Sequence, residues 1–466
     1  MSARNRVVLI VLLTLGLVLR SYHYLRAPSM WHDEAAVALN VLSKSYSELL
    51  GSLTFHEAAP PLFLWIEKAV SATFGDGVYS LRLPPFLASC ASLLLLAWAA
   101  GRLLDARAVP WAVFLFAVSE QLSWHACEAK PYAFDVLAAT VLLAVYAATQ
   151  AGPTWRRLIF FTLPAPILVF LSYPACFLYG GVLAALAPAV WREKRASGFA
   201  AYGLLAVTVV GSFLLLLLGP VHAQHDSEIV SCWTNAFPDW QRPWTVPAWT
   251  LFSTLDVFRY CCKPLGQILV PLTVLGAVVL WRRSQQALVA LLIVPILLAL
   301  AASFAHRYPY SGARVLVYAA PALVLLIAAG TPVAWDWLRR CHRLAPAALA
   351  LLFLPPLLGA GRAVVFSWPR ADTAGAAAYV LAHRQATDLV EGNDWTHQYY
   401  FRKLGSAFQP TAVTDAATGR CWIVYTEERS SAERLPAAMS QGPAGWIAVV
   451  RREFAFTTVL LLERRP

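Results

Sequence analysis

The chain has 466 residues, of which 59% are hydrophobic and only 14% are charged. A soluble domain has about 25% charged residues, so this composition excludes an ordinary water-soluble fold. The net charge of +11 comes from small Lys and Arg clusters between apolar runs, as in the cytoplasmic loops of membrane proteins, which argues against a nucleic-acid-binding protein.

The N-terminus combines the basic segment Met1–Arg6 with the apolar run Val7–Leu19. Such a start also suits a secretory signal, but the polar stretch 20–26 follows without a small-residue cleavage site. We therefore expect an uncleaved first transmembrane helix.

Apolar runs of about 17–25 residues are long enough to cross a bilayer as a helix. The sequence predicts eleven such spans: 7–24, 85–104, 108–124, 133–149, 158–172, 174–190, 199–219, 265–281, 286–304, 313–331 and 344–361. Prolines 164, 166 and 174 interrupt the pair 158–172 and 174–190, so a re-entrant hairpin is the alternative there.

Basic residues fall in alternate gaps between these spans, which predicts the orientation by the positive-inside rule. The basic gaps, which we assign to the cytoplasm together with the N-terminus, hold Arg4 and Arg6, Arg102 and Arg107, Arg156 and Arg157, Arg192, Lys194 and Arg195, Arg282 and Arg283, and Arg339, Arg340 and Arg343. The outward gaps are then 25–84, 125–132, around 173, 220–264, 305–312 and the tail from about 362.

The predicted fold class is an all-α polytopic bundle of about 11 transmembrane helices over residues 1–361. The first outer loop, 25–84, holds two amphipathic surface helices, 35–50 and 61–74, by its apolar spacing. The tail 362–466 lacks long apolar runs and is predicted to be a small outer-face α/β domain. It has helix-like 372–385 and strand-like 421–425, 446–451 and 457–462.

Eight cysteines include no Cys-x-x-Cys pair, so a zinc site is not expected. Cys232, Cys261 and Cys262 share one outer gap, where a disulfide is permitted but not required.

Trp31-His32-Asp33-Glu34 lies just after the first span, and ionisable groups beside a membrane segment are usually functional. Asp33 and Glu34 are adjacent, so on a helix they point about 100° apart. We expect one of them to act and the other to orient or bind. The alternative is that Asp33 caps a helix over 34–50.

Further polar candidates for substrate binding occupy the other outward gaps. Arg307 and Arg314 lie on the outward side, where the positive-inside rule predicts few basic residues. Two explanations are open: the arginines bind an anionic phosphate headgroup, or they form an ion pair with Glu34 or Glu128. The complete set is His56, Glu128, Lys130, Tyr132, Arg307, Tyr308 and Arg314.

Four motifs follow one another along the first part of the chain: His32-Asp33-Glu34-Ala35, His56 with Pro60-Pro61-Leu62, Gly75 to Arg82-Leu83-Pro84, and Glu128-Ala129-Lys130-Pro131-Tyr132. In this order they resemble the GT-C glycosyltransferases over roughly residues 1–330. Within that group the chain resembles glycosyltransferase family 39, the dolichyl-phosphate-mannose protein mannosyltransferases and their bacterial relatives.

The resemblance implies transfer of a hexose or pentose from a polyprenyl-phosphate carrier to a protein, lipid or glycan acceptor on the outer face of the inner membrane. It maps the catalytic base to Asp33. A carboxylate there would take the acceptor's proton in one inverting displacement, while Lys130, Arg307 and Arg314 would stabilise the departing phosphate. No cofactor is firmly indicated, although Asp33, Glu34 and His56 could hold a divalent ion.

The sequence departs from the related aminoarabinose transferases, which place a phosphate-binding Lys in the stretch matching 56–61. Here that stretch is His-Glu-Ala-Ala-Pro-Pro, which leaves the phosphate partner and the sugar open. Two other classes remain as alternatives. An O-antigen-type ligase would concentrate its motifs in a late outer loop, and a lipid or solute transporter would show two related halves.

Overall fold

The computed structural model describes residues 3–225, 228, 231–366, 368–410, 419–427 and 445–464. Helices dominate, and one β-sheet lies near the C-terminus. The α-helices are α1 (Ala3–Arg26), α2 (His32–Ser43), α3 (Pro61–Phe74), α4 (Val78–Leu103), α5 (Val109–Ala117), α6 (Glu120–His125), α7 (Tyr132–Thr149), α8 (Thr154–Thr162), α9 (Ala165–Leu171), α10 (Ala175–Glu193), α11 (Ala196–Leu216), α12 (Val246–Cys261), α13 (Val270–Arg282), α14 (Gln286–Phe304), α15 (Ala320–Cys341), α16 (Ala345–Leu351), α17 (Leu354–Val365), α18 (Thr373–His383) and α19 (Trp395–Phe401).

Eight helices in the described ranges are long and apolar enough to cross a membrane. Two bent pairs, α8 with α9 (42°) and Pro243–Cys261 with Gly266–Arg282 (101°), raise the number to as many as ten. The polytopic helical fold is therefore confirmed, with eight to ten candidate spans in place of about eleven. The eight are Asn5–Arg26, Val78–Leu103, Tyr132–Thr149, Ala175–Glu193, Ala196–Val221, Gln286–Phe304, Arg314–Cys341 and Pro346–Val365.

The predicted continuous span 108–124 is wrong, because the chain breaks there into α5 and α6. The buried Arg20 guanidinium of α1 donates to the carbonyls of Phe116 (3.1 Å) and Ala117 (3.3 Å) at the end of α5. Ser119 then caps α6 by accepting from the Leu122 N–H. Each helix end therefore gains partners for its exposed backbone groups, which makes a break tolerable among apolar neighbours.

Two glycines permit close packing of α13 against α15. A Cβ on Gly276 would meet the Leu326 carbonyl oxygen at 1.8 Å, and one on Gly330 would meet that of Leu272 at 2.3 Å. Small residues at such contacts are typical of membrane helix pairs, because backbones can approach closely and gain van der Waals contact.

The chain divides into two compact units. The transmembrane unit comprises residues 1–25, 46–52 and 58–365. The C-terminal unit comprises 26–45, 53–57 and 366–466. The stretch containing Asp33 therefore folds with the tail of the chain.

Within the transmembrane unit, hydrogen bonds join the gaps that the basic clusters assigned to one side. Arg107 makes a two-pronged ion pair with Asp336 (2.8 and 2.7 Å). Arg283 pairs with Asp105, and the Asn5 amide reaches the Ala106 carbonyl. These gaps lie at one end of the helices, as the charge pattern predicts.

The C-terminal unit contains a five-stranded sheet in the order β2-β1-β3-β5-β4. Strands β2, β1 and β3 are parallel, whereas β5 is antiparallel to β3 and β4. Helix α18 packs on the sheet through Ala376, Ala377 and Val380 against Trp422. The predicted mixed α/β tail is confirmed. The strands are β1 (Leu389–Gly392), β2 (Phe408–Gln409), β3 (Arg420–Thr426), β4 (Trp446–Phe454) and β5 (Thr457–Arg464).

The helix predicted over 61–74 is confirmed as α3, but the helix predicted over 35–50 ends early. Helix α2 stops at Ser43, whose hydroxyl donates to the Leu39 carbonyl, and Lys44 is extended. Serines compete with the helix for backbone partners, which explains why the Ser-rich stretch after residue 42 leaves it.

Candidate active site

Asp33 is the second residue of α2 and is half-buried. The helix begins at His32 with Trp31 as its N-cap, so Asp33 is not the cap residue considered in the sequence analysis. Acidic residues in a first helical turn are favoured by the partial positive charge of the helix N-terminus. The rest of α2 is anchored by buried Ala35, Ala36 and Val41.

Glu34 is fully buried and forms an ion pair with Arg370 (2.9 Å), which comes from the tail. The same carboxylate oxygen accepts from the backbone N–H of the N-cap residue Trp31 (3.3 Å). Arg370 also donates to the Ser29 carbonyl. These contacts fit the orienting role expected for one member of the Asp33–Glu34 pair.

His32 lies against α19 of the same unit. Its Nδ1 donates to Asp394 Oδ2 (3.0 Å), and its ring stacks on Trp395 at a centroid distance of 3.7 Å. Burial alone would raise the pKa of Asp394, but the hydrogen bonds from His32 and from the Thr396 N–H lower it to about 2. Asp394 is therefore ionised at neutral pH, and it accepts hydrogen bonds both from His32 and from the first turn of α19.

His56 is exposed on a strained segment of the C-terminal unit. Phe55 and His56 both have positive φ (67° and 48°), which non-glycine residues adopt rarely. Buried Asn40 of α2 holds Thr54 through its backbone N–H (2.9 Å) and carbonyl (2.9 Å). Strain of this kind persists only where neighbouring contacts fix the backbone, as Asn40 does here.

In the transmembrane unit, Glu128 is at the centre of a buried polar chain. Its carboxylate accepts from Trp124 Nε1 (2.8 Å) and from His125 Nδ1 (2.5 Å). The other ring nitrogen of His125 is 2.8 Å from the Tyr260 hydroxyl of α12. Glu128 thus fixes the His125 ring, and Tyr260 donates to its far nitrogen.

Lys130 and Tyr132 follow Glu128 and are both buried, with exposures of 2% and 9%. Half-buried Arg314 places its guanidinium 5.9 Å from the Tyr132 ring centre and 5.7 Å from that of Trp233. An arginine between two aromatic rings keeps its planar fork ordered and its charge partly desolvated, which suits recognition of a phosphate.

Arg307 is exposed, whereas Tyr308 is half-buried. The Tyr308 hydroxyl donates to the Val315 carbonyl (2.7 Å), and its ring packs on Phe177. Burial raises the pKa of Tyr308 well above its ordinary value, so its phenol stays neutral. Tyr308 therefore supports the segment that leads into Arg314.

The structure therefore groups Asp33 and Glu34 with His32 in one unit, and Glu128, Lys130, Tyr132 and Arg314 in the other. Sequence reasoning missed five residues of these networks. Only His125 had a readable signal, since it precedes Glu128 by three residues, the spacing of one helical turn. The missed residues are His125, Tyr260, Arg370, Asp394 and Trp395.

Among the described residues, no group of three or more His, Cys, Asp or Glu side chains is arranged to hold a metal ion. The eight cysteines are all thiols, with Cys261 and Cys262 buried, so the permitted disulfide in their gap is not formed.

No protein-family model matches the sequence, and a search of curated protein sequences gives no match. Solved structures do match. ArnT from Cupriavidus metallidurans in its apo state aligns with a TM-score of 0.56 and 13% identity, over 99% of this chain and 98% of that one. The same protein bound to undecaprenyl phosphate gives 0.54.

The oligosaccharyltransferase AglB from Archaeoglobus fulgidus, in complex with an inhibitory peptide and a dolichol-phosphate, aligns with a TM-score of 0.50 and 12% identity. It is covered over 64% of its length by 88% of this chain. The chain has the GT-C fold. The GT-C likeness to ArnT extends through the C-terminal unit, which the sequence resemblance, ending near residue 330, did not cover.

Proposed function

We propose that this chain is a membrane glycosyltransferase, related to glycosyltransferase family 39. It moves a sugar from a polyprenyl-phosphate carrier to an acceptor hydroxyl on the outer face of the membrane. The observation that carries the proposal is the GT-C fold over nearly the whole chain, combined with a half-buried aspartate, Asp33, in the first turn of α2. The ArnT structure with undecaprenyl phosphate and the AglB structure with a dolichol-phosphate support a lipid-phosphate donor.

Asp33 is the proposed base. Its carboxylate accepts the hydroxyl proton as the acceptor oxygen attacks the anomeric carbon, and the bond from that carbon to the carrier's phosphate oxygen breaks on the opposite face. One such displacement inverts the anomeric centre. Glu34 is the proposed orienting residue, because its pairing with Arg370 fixes the turn that carries Asp33.

The phosphate leaves with its electron pair, so it needs positive charge more than a second acid. We assign this role to Arg314, held between Tyr132 and Trp233, and to buried Lys130. Glu128 holds the local structure through His125. Exposed Arg307 and His56 are proposed to contact the lipid headgroup or the acceptor.

The proposed localisation is the inner membrane, with the N-terminus in the cytoplasm and the C-terminal unit on the outer face. It is supported by the basic gaps, which hydrogen bonds join at one end of the transmembrane unit. The proposed partners are the carrier lipid, surrounding membrane lipids and a protein, lipid or glycan acceptor. Nucleic acid is not among the proposed partners.

Mass spectrometry of glycolipids and glycans from cells with and without the gene tests the proposal and names the product. Purified protein in nanodiscs with a synthetic undecaprenyl-phosphate sugar and that acceptor then tests Asp33. Asp33→Asn should abolish transfer, a loss of about 10²–10⁴-fold, while carrier binding and melting temperature persist. Asp239→Asn, at an exposed aspartate, is the matched control. Turnover retained by Asp33→Asn would move the base to Glu34 or Glu128.

A further inference from the structure

Two of the basic gaps carry positive charge that the chain does not neutralise. The segments 150–157 and 191–195 contain five cations and one carboxylate, that of Glu193. The cations are Arg156, Arg157, Arg192, Lys194 and Arg195, and in the described ranges no carboxylate forms an ion pair with any of them. In other basic gaps, by contrast, Arg107 pairs with Asp336 and Arg283 pairs with Asp105.

The two segments lie together in the transmembrane unit. The Thr154 hydroxyl at the start of α8 donates to the Glu193 carboxylate at the end of α10. Trp191 of α10 packs edge-on against Phe199 of α11, with 5.4 Å between the ring centres. Arg157 follows Thr154 by three residues and therefore lies on the same face of α8. We call the surface formed by the five cations the basic patch.

Arg157 is the most informative member of the basic patch. It is half-buried, and its guanidinium carbon lies 5.1 Å from the centre of the Tyr146 ring. Its Nε and Nη2 atoms are buried and have no hydrogen-bond partner among the residues that the structure describes. Donors of a charged group are costly to leave without partners, so the side chain lacks an anion.

The two atoms without partners also indicate which anion fits. Nε and Nη2 together form one edge of the planar guanidinium group. Such an edge donates two parallel hydrogen bonds to two oxygens of a phosphate or a carboxylate. The free edge of Arg157 is therefore suited to a group with two oxygens on one centre.

The packing of α10 against α14 shows at which end of the helices the basic patch lies. Phe177, near the start of α10, packs on Tyr308, which follows the end of α14. A Cβ on Gly181, one turn further along α10, would meet the Pro295 ring of α14 at 2.7 Å. The two helices are thus antiparallel, and the end of α10 lies toward the start of α14, near the gap that contains Arg283.

Exposed tryptophans mark the level of the basic patch in the membrane. Trp191 is 68% exposed and Trp155 is 36% exposed, and each is next to a cation of the patch. Tryptophan side chains are enriched where the bilayer meets water, at the level of the lipid headgroups. A phosphate at this level belongs to a lipid rather than to a soluble molecule.

We propose that the basic patch binds an anionic phospholipid. Nε and Nη2 of Arg157 donate to two oxygens of its phosphate, and exposed Arg192 and Arg195 add positive charge around it. Arg314 follows the opposite end of α14, so this lipid site is separate from the proposed site of the carrier's phosphate. The proposal does not depend on the glycosyltransferase activity, and either can fail without the other.

Native mass spectrometry of the full chain in non-ionic detergent, titrated with dioleoyl-phosphatidylglycerol, measures the Kd of the first bound lipid. Arg157→Gln should raise this Kd about 10–100-fold, the value of a charge-assisted hydrogen-bonded contact. Arg157→Lys keeps the charge but has no two-pronged edge, so it should still bind at least about fivefold more weakly than the wild type.

Arg282→Gln is the matched control, because it removes an exposed cation at the same end of the helices. It should raise the Kd by no more than about fivefold, the general effect of one cation near an anionic lipid. Dioleoyl-phosphatidylcholine should bind the wild type and Arg157→Gln equally. In detergent without added lipid, Arg157→Gln should melt near the wild-type temperature, since the buried Nε and Nη2 atoms have no hydrogen bonds to lose.

Three results would overturn the proposal. The first is an equal Kd for phosphatidylglycerol in the wild type and in Arg157→Gln. The second is an equal loss in Arg157→Gln and in Arg282→Gln, which would mean that charge alone attracts the lipid and no site exists. The third is displacement of the lipid by inorganic phosphate at the same concentration, which would make the ligand a soluble anion.

Discussion

The ion pair of Glu34 with Arg370 gives the sharpest prediction about stability. Both side chains are buried, with exposures of 0% and 5%, and they are 2.9 Å apart. Replacing Arg370 by Met keeps the volume of the side chain but leaves the Glu34 carboxylate without its cation. Loss of one partner of a buried pair costs about 3–5 kcal/mol.

For a unit of this size, such a loss lowers the melting temperature by roughly 10–20 °C. The double variant Glu34→Gln with Arg370→Met removes both charges, and the Gln side-chain oxygen can still accept from the Trp31 backbone N–H. We therefore expect the double variant to be more stable than Arg370→Met by about 1–3 kcal/mol. A double variant that is more stable than Arg370→Met indicates that the single variant suffers from a buried charge without its cation, because a packing defect would not be relieved by the second change.

Pulse proteolysis of the nanodisc-bound protein, with fragments assigned to the C-terminal unit, measures the effect. Lys263→Met is the control, because it removes a half-exposed cation whose pair with Glu120 lies in the transmembrane unit. If Arg370→Met unfolds no more readily than this control, or if the double variant is the least stable of the three, the reasoning is wrong.

Three further outcomes are expected. Arg314→Ala should weaken carrier binding more than acceptor binding, which lipid titration measures; unchanged lipid affinity would remove Arg314 from the phosphate site. Arg20→Met should destabilise the transmembrane unit by at least about 3 kcal/mol and expose the α5–α6 break to protease, since the Phe116 and Ala117 carbonyls lose their charged donor. Burial lowers the pKa of His397 to about 4 from its usual 6.5. The unfolded chain therefore binds this proton first, so the C-terminal unit should lose about 3 kcal/mol as pH falls from about 6.5 to 4. His397→Gln should remove that slope in acid-melting curves, and an identical slope in the variant would assign it to another group.

Much of the fold could be read from local composition. Spans such as 286–304, with mean hydropathy high throughout, need no tertiary information, because the cost of exposing backbone in lipid forces a helix. Hydrogen bonds and ion pairs bring four of the six basic gaps together at one end of the helices, which is the part of the charge prediction that the structure supports. The prediction of a continuous span over 108–124 failed because the break depends on the Arg20 guanidinium, which reaches Phe116 and Ala117 from 96 and 97 residues earlier in the chain.

The site was less readable, for the same reason. Asp33 and Glu128 stand out as carboxylates beside apolar runs, and each could be nominated from its neighbours in sequence. The distant partners of Glu34 and His32 could not be predicted in this way. Arg370 reaches Glu34, and Asp394 reaches His32, from more than three hundred residues away.

The sequence by itself determined a polytopic helical protein, most of its candidate spans and the polar stretch around Asp33, since apolar length and charge placement are local properties. Only the tertiary structure decided that this stretch folds with the tail, that Glu34 is paired and that His32 is held by Asp394. Ion pairs and ring contacts between distant segments depend on how the chain closes in space, and no local pattern encodes that closure.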